Sequence, residues 1–364
     1  MPLYLCVDCG GTKTATVISD SSGTIVGRGS GGPSNITYLS VEAFISAITE
    51  AIVEALKSAL PDHADYSLPV ADGKESFFAA AWFGVSGADS PSAIAKVTPA
   101  ISSLIGIPAG PNLAIANDTH LLAAPMRMFR EVTHAIAVIA GTGSIAVSFK
   151  EVAGKIDELG RVGGWGWILG DEGGGYDVGR ETLRHILREE DLASVTGKPS
   201  PPSKLRDRVL ARFGVAHPME IFGGVYHGDP NATSPDSSFA ADDIRRLPRE
   251  KRISCLPRLV FAAAFDEDDW LAKRILATCV GSLASQVAVL LGDGEKDTEG
   301  KFVDPAKAVI SFGGSLVGNE SYRQLILDDL AGRGYTFPHV YFVEDAAATG
   351  AIALAAANAS QADN

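Results

Sequence analysis

Two short segments of this chain are built alike. Asp8-Cys9-Gly10-Gly11-Thr12-Lys13-Thr14 follows an apolar run at 3–7, and Gly141-Thr142-Gly143-Ser144 follows another at 135–140. Each leads into an alternating strand and a turn ending in glycine, Gly23 and Gly154. Gly10 and Gly11 permit backbone conformations that other residues avoid, and they let a ligand approach the main chain. Such a loop gathers N–H donors and a threonine hydroxyl at a strand end, which suits phosphate. One loop of this kind is equally an ordinary tight turn. Two of one design suggest a duplicated domain gripping a polyphosphate from both sides. Asp8 would suit Mg2+, directly or through water, because magnesium prefers oxygen ligands and keeps much of its hydration. Lys13 could touch phosphate.

Three further segments carry chemistry. Asn117-Asp118-Thr119 stands where an apolar strand meets a helix. It reads as a helix N-cap, or Asp118 is a general base at the carboxyl end of a strand, where α/β sheets bind ligands. Gly163-Gly164-Trp165-Gly166-Trp167-Ile168-Leu169-Gly170-Asp171-Glu172-Gly173 has too many glycines for a regular element. Tryptophan beside aspartate suits a sugar, the ring covering its apolar face and the carboxylate taking its hydroxyls; the alternative is a core tryptophan in a glycine-rich turn. Gly313-Gly314-Ser315, between a strand and a helix, could admit an adenosine or be a tight turn. No G-x-x-x-x-G-K-[ST], no G-x-S-x-G and no G-x-G-x-x-G after the first strand is present, and the seven histidines lack metal-ligand spacing.

The elements that must position these residues are legible in outline. Residues 3–7, 14–19 and 24–28 read as a three-stranded meander. Ser40 caps a helix whose apolar positions run through Leu56. The nearly all-apolar run 77–85 reads as a central strand covered on both faces. Ser90-Pro91 starts another helix, 113–116 is a short strand, and 119–129 is expected to be helical. The order then begins again with strands at 134–140 and 144–149. Helices are expected over 172–190 and 268–291, a strand at 308–312, a helix after Ser315 through Leu330, a strand at 340–343, and a terminal helix capped by Asp345. Residues 198–204 and 227–243 read as loops. The fold class is α/β, with two lobes and a cleft between them.

The bulk numbers limit the partners. The 364 residues suggest about two domains, and 46% hydrophobic residues can fill their cores. A formal charge of −13 argues against general affinity for nucleic acid or acidic membranes. No apolar stretch of ~18 residues lacks polar breaks, so no membrane span is expected. Met1-Pro2-Leu3-Tyr4 has no basic n-region, so no signal peptide is expected either. Cys6 and Cys9 form a C-x-x-C, but in a strand they would point to opposite faces. Structural cysteines imply a reducing compartment, the cytoplasm.

Taken together, these segments resemble the superfamily of sugar kinases, actin and heat-shock chaperones, and within it the N-acetylglucosamine kinases of the BadF/BadG-type ATPase group. The matching stretches are Asp8-Cys9-Gly10-Gly11-Thr12, Pro33-Ser34-Asn35, Gly84-Val85-Ser86-Gly87, Asn117-Asp118, Gly141-Thr142-Gly143-Ser144, Gly164-Trp165-Gly166 through Gly173, and Gly313-Gly314-Ser315. They occur in family order across nearly the whole chain; the match is poor at 191–250. The resemblance implies two ribonuclease-H-like (actin-like ATPase) lobes, 1–117 with the terminal helix 345–364 and 118–344, closing on substrate. It implies ATP and Mg2+ as cofactors and transfer of the γ-phosphoryl group to a sugar 6-hydroxyl, with Asp118 as base. By motif position the sugar contacts are Asn35, Asn117, Asp118, Ser144, Ile145, Gly164, Trp165, Gly166 and Asp171. The ATP contacts are Gly10, Gly11, Thr12, Lys13, Thr142, Gly313, Gly314 and Ser315, with Ser254 carried over on a loose alignment, and Asp8 is the metal residue. A homodimer is compatible with this reading. The alternatives are a glucosamine kinase and a non-catalytic ATPase regulator.

Overall fold

The sheet order is the same in both halves of the chain. The computed structural model describes residues 2–362 except 64, 72, 231–238 and 293. The first sheet contains β1 (Tyr4–Cys9), β2 (Thr14–Ser19), β3 (Ile25–Gly31), β4 (Ala80–Val85) and β5 (Leu113–Ala116), in the order β3-β2-β1-β4-β5. The second contains β6 (His134–Ala140), β7 (Ser144–Val152), β8 (Lys155–Gly163), β9 (Ala308–Gly313) and β10 (His339–Phe342), in the order β10-β9-β6-β7-β8. Each begins with an antiparallel meander and grows by parallel strands on the far side of its first strand. The parallel strands β4 and β9 are buried throughout, as strands covered on both faces must be.

Helices cover the sheets in the way their apolar faces require. α1 (Val41–Ala59), capped by Ser40, and α2 (Pro91–Ile105), capped by Ser90, pack on one face of the first sheet. The last helix, α11 (Ala346–Ala362), returns to the other face of that sheet against Tyr4, Cys6, Val17 and Trp82. Cys6 and Cys9 therefore belong to opposite cores, as strand alternation requires. On the second sheet lie α4 (Gly175–Thr196), α9 (Trp270–Leu290) and α10 (Glu320–Gly332), described below with the short helices between them. α9 alone among the described residues is long and apolar enough to cross a membrane, but 56% of its most apolar window is buried in this core.

The segment Asp118–Met128 links the sheets. It is helical as expected, in the 3-10 form, with Pro125 inside it; proline lacks the N–H that an α-helical ladder needs. Its Leu121 and Ala124 join the core of the first sheet, whereas Ala123 and Met126 join that of the second. Two glycines make room for it. A Cβ on Gly84 of β4 would lie 2.5 Å from Leu121 and 3.2 Å from the Cα of Asp118. A Cβ on Gly313, in the equivalent strand β9, would lie 2.4 Å from Leu122.

Other boundaries also moved. β8 has no counterpart in the expected elements, because its exposed and half-exposed polar residues mask any alternation. α4 starts at Gly175, after the glycine loop, rather than at 172. α10 starts at Glu320, capped by Asn319, so several residues of turn separate it from Ser315. Between α4 and α9 come α5 (Lys204–Phe213), α6 (Ile221–Val225), α7 (Arg249–Ser254) and α8 (Pro257–Phe261). Of the loop expected at 227–243, residues 231–238 lie outside the described residues. Arg252 holds this region together. Fully buried, it donates to the carbonyls of Gly224, His227, Gly228, Arg245 and Leu247 at 2.5–3.1 Å.

Candidate active site

Strand register brings the first set of residues together. Asp8 in β1 lies beside Gly84 in β4, which lies beside Ala116 in β5. The carboxyl ends of the three parallel strands are thus level, and Asp118 follows two residues after Ala116. Asp8, Lys13, Asp118, Gly313 and Gly314 line one cleft of about 770 Å³, joined by Asp345 at the cap of α11. Strands of both sheets therefore open onto the same cavity. Ligands bind at this end of an α/β sheet because loops and helix termini converge there.

Asp118 is well held. The Ser86 hydroxyl and the N–H of Thr119 lie near its carboxylate and favour its ionised form. Burial is the larger influence and raises its affinity for a proton above the ordinary. Asn35 completes a relay, donating from Nδ2 to Ser86 Oγ at 3.1 Å, while its Oδ1 accepts from the N–H of Thr37 at 2.8 Å. Asn117 caps the 3-10 helix through Thr119 and donates to Asp89 at 2.7 Å. Within this segment Asn117 caps the helix and Asp118 lines the cleft.

Asp8 is pushed up to about 6, by burial first and then by the carboxylates of Asp118 and Asp345; Lys13 opposes the shift. Asp345 is ion-paired with Arg28 at 2.5 Å. Carboxylates crowded in this way create a negative potential that a cation would relieve. Among the described residues no group of three or more potential ligands could grip a metal by itself. Magnesium suits such a site, since it keeps several waters and shares its ligation with substrate phosphates.

The second glycine loop is propped from behind. Gly175 and Tyr176, in the first turn of α4, donate to the carbonyls of Gly141 (2.8 Å) and Thr142 (2.9 Å). Thr142 is exposed at the loop tip, as are Thr12 and Lys13 in the first loop and Ser315 after β9. Ser315 stands beside Gly141: a Cβ there would be 3.7 Å from its Oγ. Ser254 ends α7 and does not line the cleft. Its near neighbour Pro257 is 3.6 Å from the Cβ position of Gly175, which puts this segment at the start of α4.

The tryptophan-glycine loop forms a separate group. Ser144 is buried and donates to the carbonyl of Glu172 at 2.7 Å, and Gly164 donates to that of Ser144 at 3.0 Å. Ile145 lies against Gly164. Asp171 is buried, has a left-handed backbone (φ 62°) and lays its carboxylate over Gly143. Trp165 is 65% exposed, and Gly166 opens the four-residue helix α3 (Gly166–Leu169), which presents Ile168 and Leu169 to solvent. None of these residues lines the 770 Å³ cleft.

Sequence reasoning did not single out Ser86 or Asp345 as site residues. Ser86 was visible inside Gly84-Val85-Ser86-Gly87, one residue past the central strand β4. Asp345 had been read only as a helix cap, which it also is, accepting from Ala348 N–H at 2.9 Å.

Two sheets of one topology, each opening with a glycine hairpin onto a shared cleft, define the actin-like ATPase fold. The chain belongs to the BadF/BadG/BcrA/BcrD ATPase family, which matches residues 5–355. It is 28% identical over 235 residues to the N-acetyl-D-glucosamine kinase of Dictyostelium discoideum, a match covering 64% of this chain and 66% of that one. It is 24% identical to the N-acetylmuramic acid/N-acetylglucosamine kinase of Clostridium acetobutylicum, covering 98% of each chain. Among solved structures, a candidate N-acetylglucosamine kinase from Porphyromonas gingivalis shares the fold, with a TM-score of 0.58, 18% identity and coverage of 99% of this chain and 100% of that one.

Proposed function

We propose that this protein is an ATP-dependent sugar kinase that phosphorylates the 6-hydroxyl of N-acetylglucosamine. The observation that carries this reading is the placement of Asp118: half-buried, beside Ser86, and in one cleft with Asp8, Lys13 and Gly314. Phosphoryl transfer asks a protein mainly for positioning and neutralisation of charge. Asp118 takes the proton of the sugar hydroxyl as its oxygen attacks the γ-phosphorus and the bond to ADP breaks. Lys13 and the two glycine loops hold the phosphates, with Thr12 and Thr142 at the loop tips. Gly313, Gly314 and Ser315 approach the nucleoside, as does the segment at Ser254. Magnesium, when bound with ATP, would neutralise developing phosphate charge, and Asp8 would hold it through water.

Asn35 and Asn117 flank Asp118 and orient the sugar, while Asp171 and the 164–166 backbone approach it from the second lobe. The lobes are 1–117 with 345–364, and 118–344. Their closure brings the tryptophan-glycine loop to the cleft and excludes water, which limits idle ATP hydrolysis. Both curated relatives act on N-acetylglucosamine by name, which supports the acetylated sugar over free glucosamine. The proposed setting is the cytoplasm, with ATP and a small sugar as the partners.

A coupled ADP-release assay over acetylated and free hexosamines tests the reading, with N-acetylmuramic acid included. N-acetylglucosamine should give the highest kcat/KM, and Asp118→Asn should lower kcat by about 10²–10⁴-fold with unchanged circular dichroism. No turnover on any hexosamine would refute the function. Full activity of Asp118→Asn would refute the role of the base.

A further inference from the structure

Helices α4 and α9 enclose a second concavity of about 480 Å³, apart from the cleft. Arg180, Arg184 and Arg188 recur every fourth residue along one face of α4, and Arg274 faces them from α9. Three carboxylates, Glu172, Asp177 and Glu181, share the lining. With Glu189 beside Arg274, four guanidiniums meet four carboxylates, so the hollow is balanced overall and its local positive excess lies at Arg188.

Its charges are incompletely matched. Arg180 pairs with Asp177 (2.5 Å), Arg184 with Glu181 (2.7 Å) and Arg274 with Glu189 (3.0 Å). Arg188 has no ion-pair partner among the described residues. His185, which lines the same groove, is only 8% exposed, yet its Nδ1 has no hydrogen-bond partner; the buried Nε of Arg180 has no hydrogen bond either, its nearest carboxylate being Glu181 at 3.7 Å. Buried polar atoms without partners are uncommon and call for a ligand or a role. Planar guanidiniums converging on one hollow match the oxygens of a phosphate, which they bind bidentately.

The groove also connects to the glycine loop. Asp177 accepts from Arg180 with one oxygen and from the N–H of Gly173 with the other, at 2.8 Å. The Gly173 carbonyl accepts from Tyr322 at 2.8 Å. An anion that draws Arg180 away from Asp177 therefore alters the anchor of the residue two positions after Asp171.

We propose that this groove binds a phosphate group, free or as a sugar phosphate monoester, and that its occupancy shifts the 163–173 loop through Arg180, Asp177 and Gly173. The binding is independent of the kinase reading; only the effect on sugar affinity rests on it.

Calorimetry on the full chain, with the cleft saturated by a non-hydrolysable ATP analogue and magnesium, tests the binding. Inorganic phosphate and a hexosamine 6-phosphate are titrated separately into wild type and into Arg184→Ala/Arg188→Ala. Both arginines are exposed and outside the cleft. Binding that persists beside the ATP analogue and weakens about tenfold or more in the double variant is expected, since each charge-assisted hydrogen bond contributes roughly that factor. Tighter binding of one titrant identifies the source of the phosphate group. No binding at millimolar concentrations, or equal binding in the double variant, overturns the site. Under the kinase assay the sugar KM should change with added phosphate in wild type and not in the double variant; a constant wild-type KM overturns the coupling. Failure of the kinase reading would show as absent turnover, leaving the calorimetric result intact.

Discussion

Asp8→Asn should stabilise the protein while impairing it. The Asp8 carboxyl rises from its ordinary 3.8 to about 6 in the folded chain. At roughly 1.4 kcal/mol per pH unit, ionised Asp8 therefore opposes folding by about 3 kcal/mol. Below pH 4 the residue is protonated whether the chain is folded or unfolded, and no penalty applies. As pH rises from 4 through 6, the unfolded chain releases the proton first and wild-type stability falls. Above pH 6 both states are ionised and the full penalty remains. Asparagine keeps the shape without the charge, so its advantage should be absent near pH 4, about half developed at pH 5 and complete at pH 7.5. Urea unfolding at these three pH values, with a common slope for both proteins, measures it. Magnesium with an ATP analogue should raise the stability of wild type more than that of the variant at pH 7.5, while phosphoryl transfer falls in the variant. A variant no more stable than wild type at pH 7.5, or equally favoured at pH 4, would refute the electrostatic argument.

Other perturbations probe the scaffold. Ser86→Ala removes a hydroxyl that favours ionised Asp118, so the acidic limb of the kcat–pH profile should move to higher pH; an unmoved limb would remove Ser86 from the mechanism. Gly84→Ala places a methyl 3.2 Å from the Asp118 Cα. Displacing the base by a fraction of an ångström should reduce kcat by about ten- to a hundredfold, against a stability loss of only about 1–3 kcal/mol, as read by parallel kinetics and unfolding. Arg252→Ala leaves five carbonyls without their shared donor, and limited proteolysis should then cut within 218–250 before the rest of the chain; a wild-type digestion pattern would show that the region is held by other means.

The sequence revealed the parts of this fold that repeat or follow simple periodicity. The paired hairpins, the apolar run ending at Val85 and the caps Ser40 and Ser90 all mark their elements. β8 escaped because an edge strand with Lys155, Asp157, Glu158 and Arg161 along it shows no apolar stripe. α5 escaped because a short helix rich in arginine, Lys204–Phe213, follows a Pro-Ser run that reads as loop. At the site, Asp8 and Asp118 could be picked out as strand-end carboxylates, but their proximity depends on the register of β4 between them, which is a tertiary fact. The same holds for the Asn35–Ser86 bond, which spans 51 residues.

The return of α11 to the first sheet has a consequence for how the protein is made. The face carrying Tyr4, Cys6, Val17 and Trp82 is covered by residues from the last twentieth of the chain. At about 5–20 residues per second, roughly ten to fifty seconds of translation separate β5 from that helix. Throughout this interval that face of the first sheet has Leu121 and Ala124 of the 3-10 segment against it but lacks its main cover, whereas every strand of the second sheet and α4, α9 and α10 have already left the ribosome before α11 appears. The half of the molecule synthesised first is thus the half completed last, its sheet face partly open until α11 arrives.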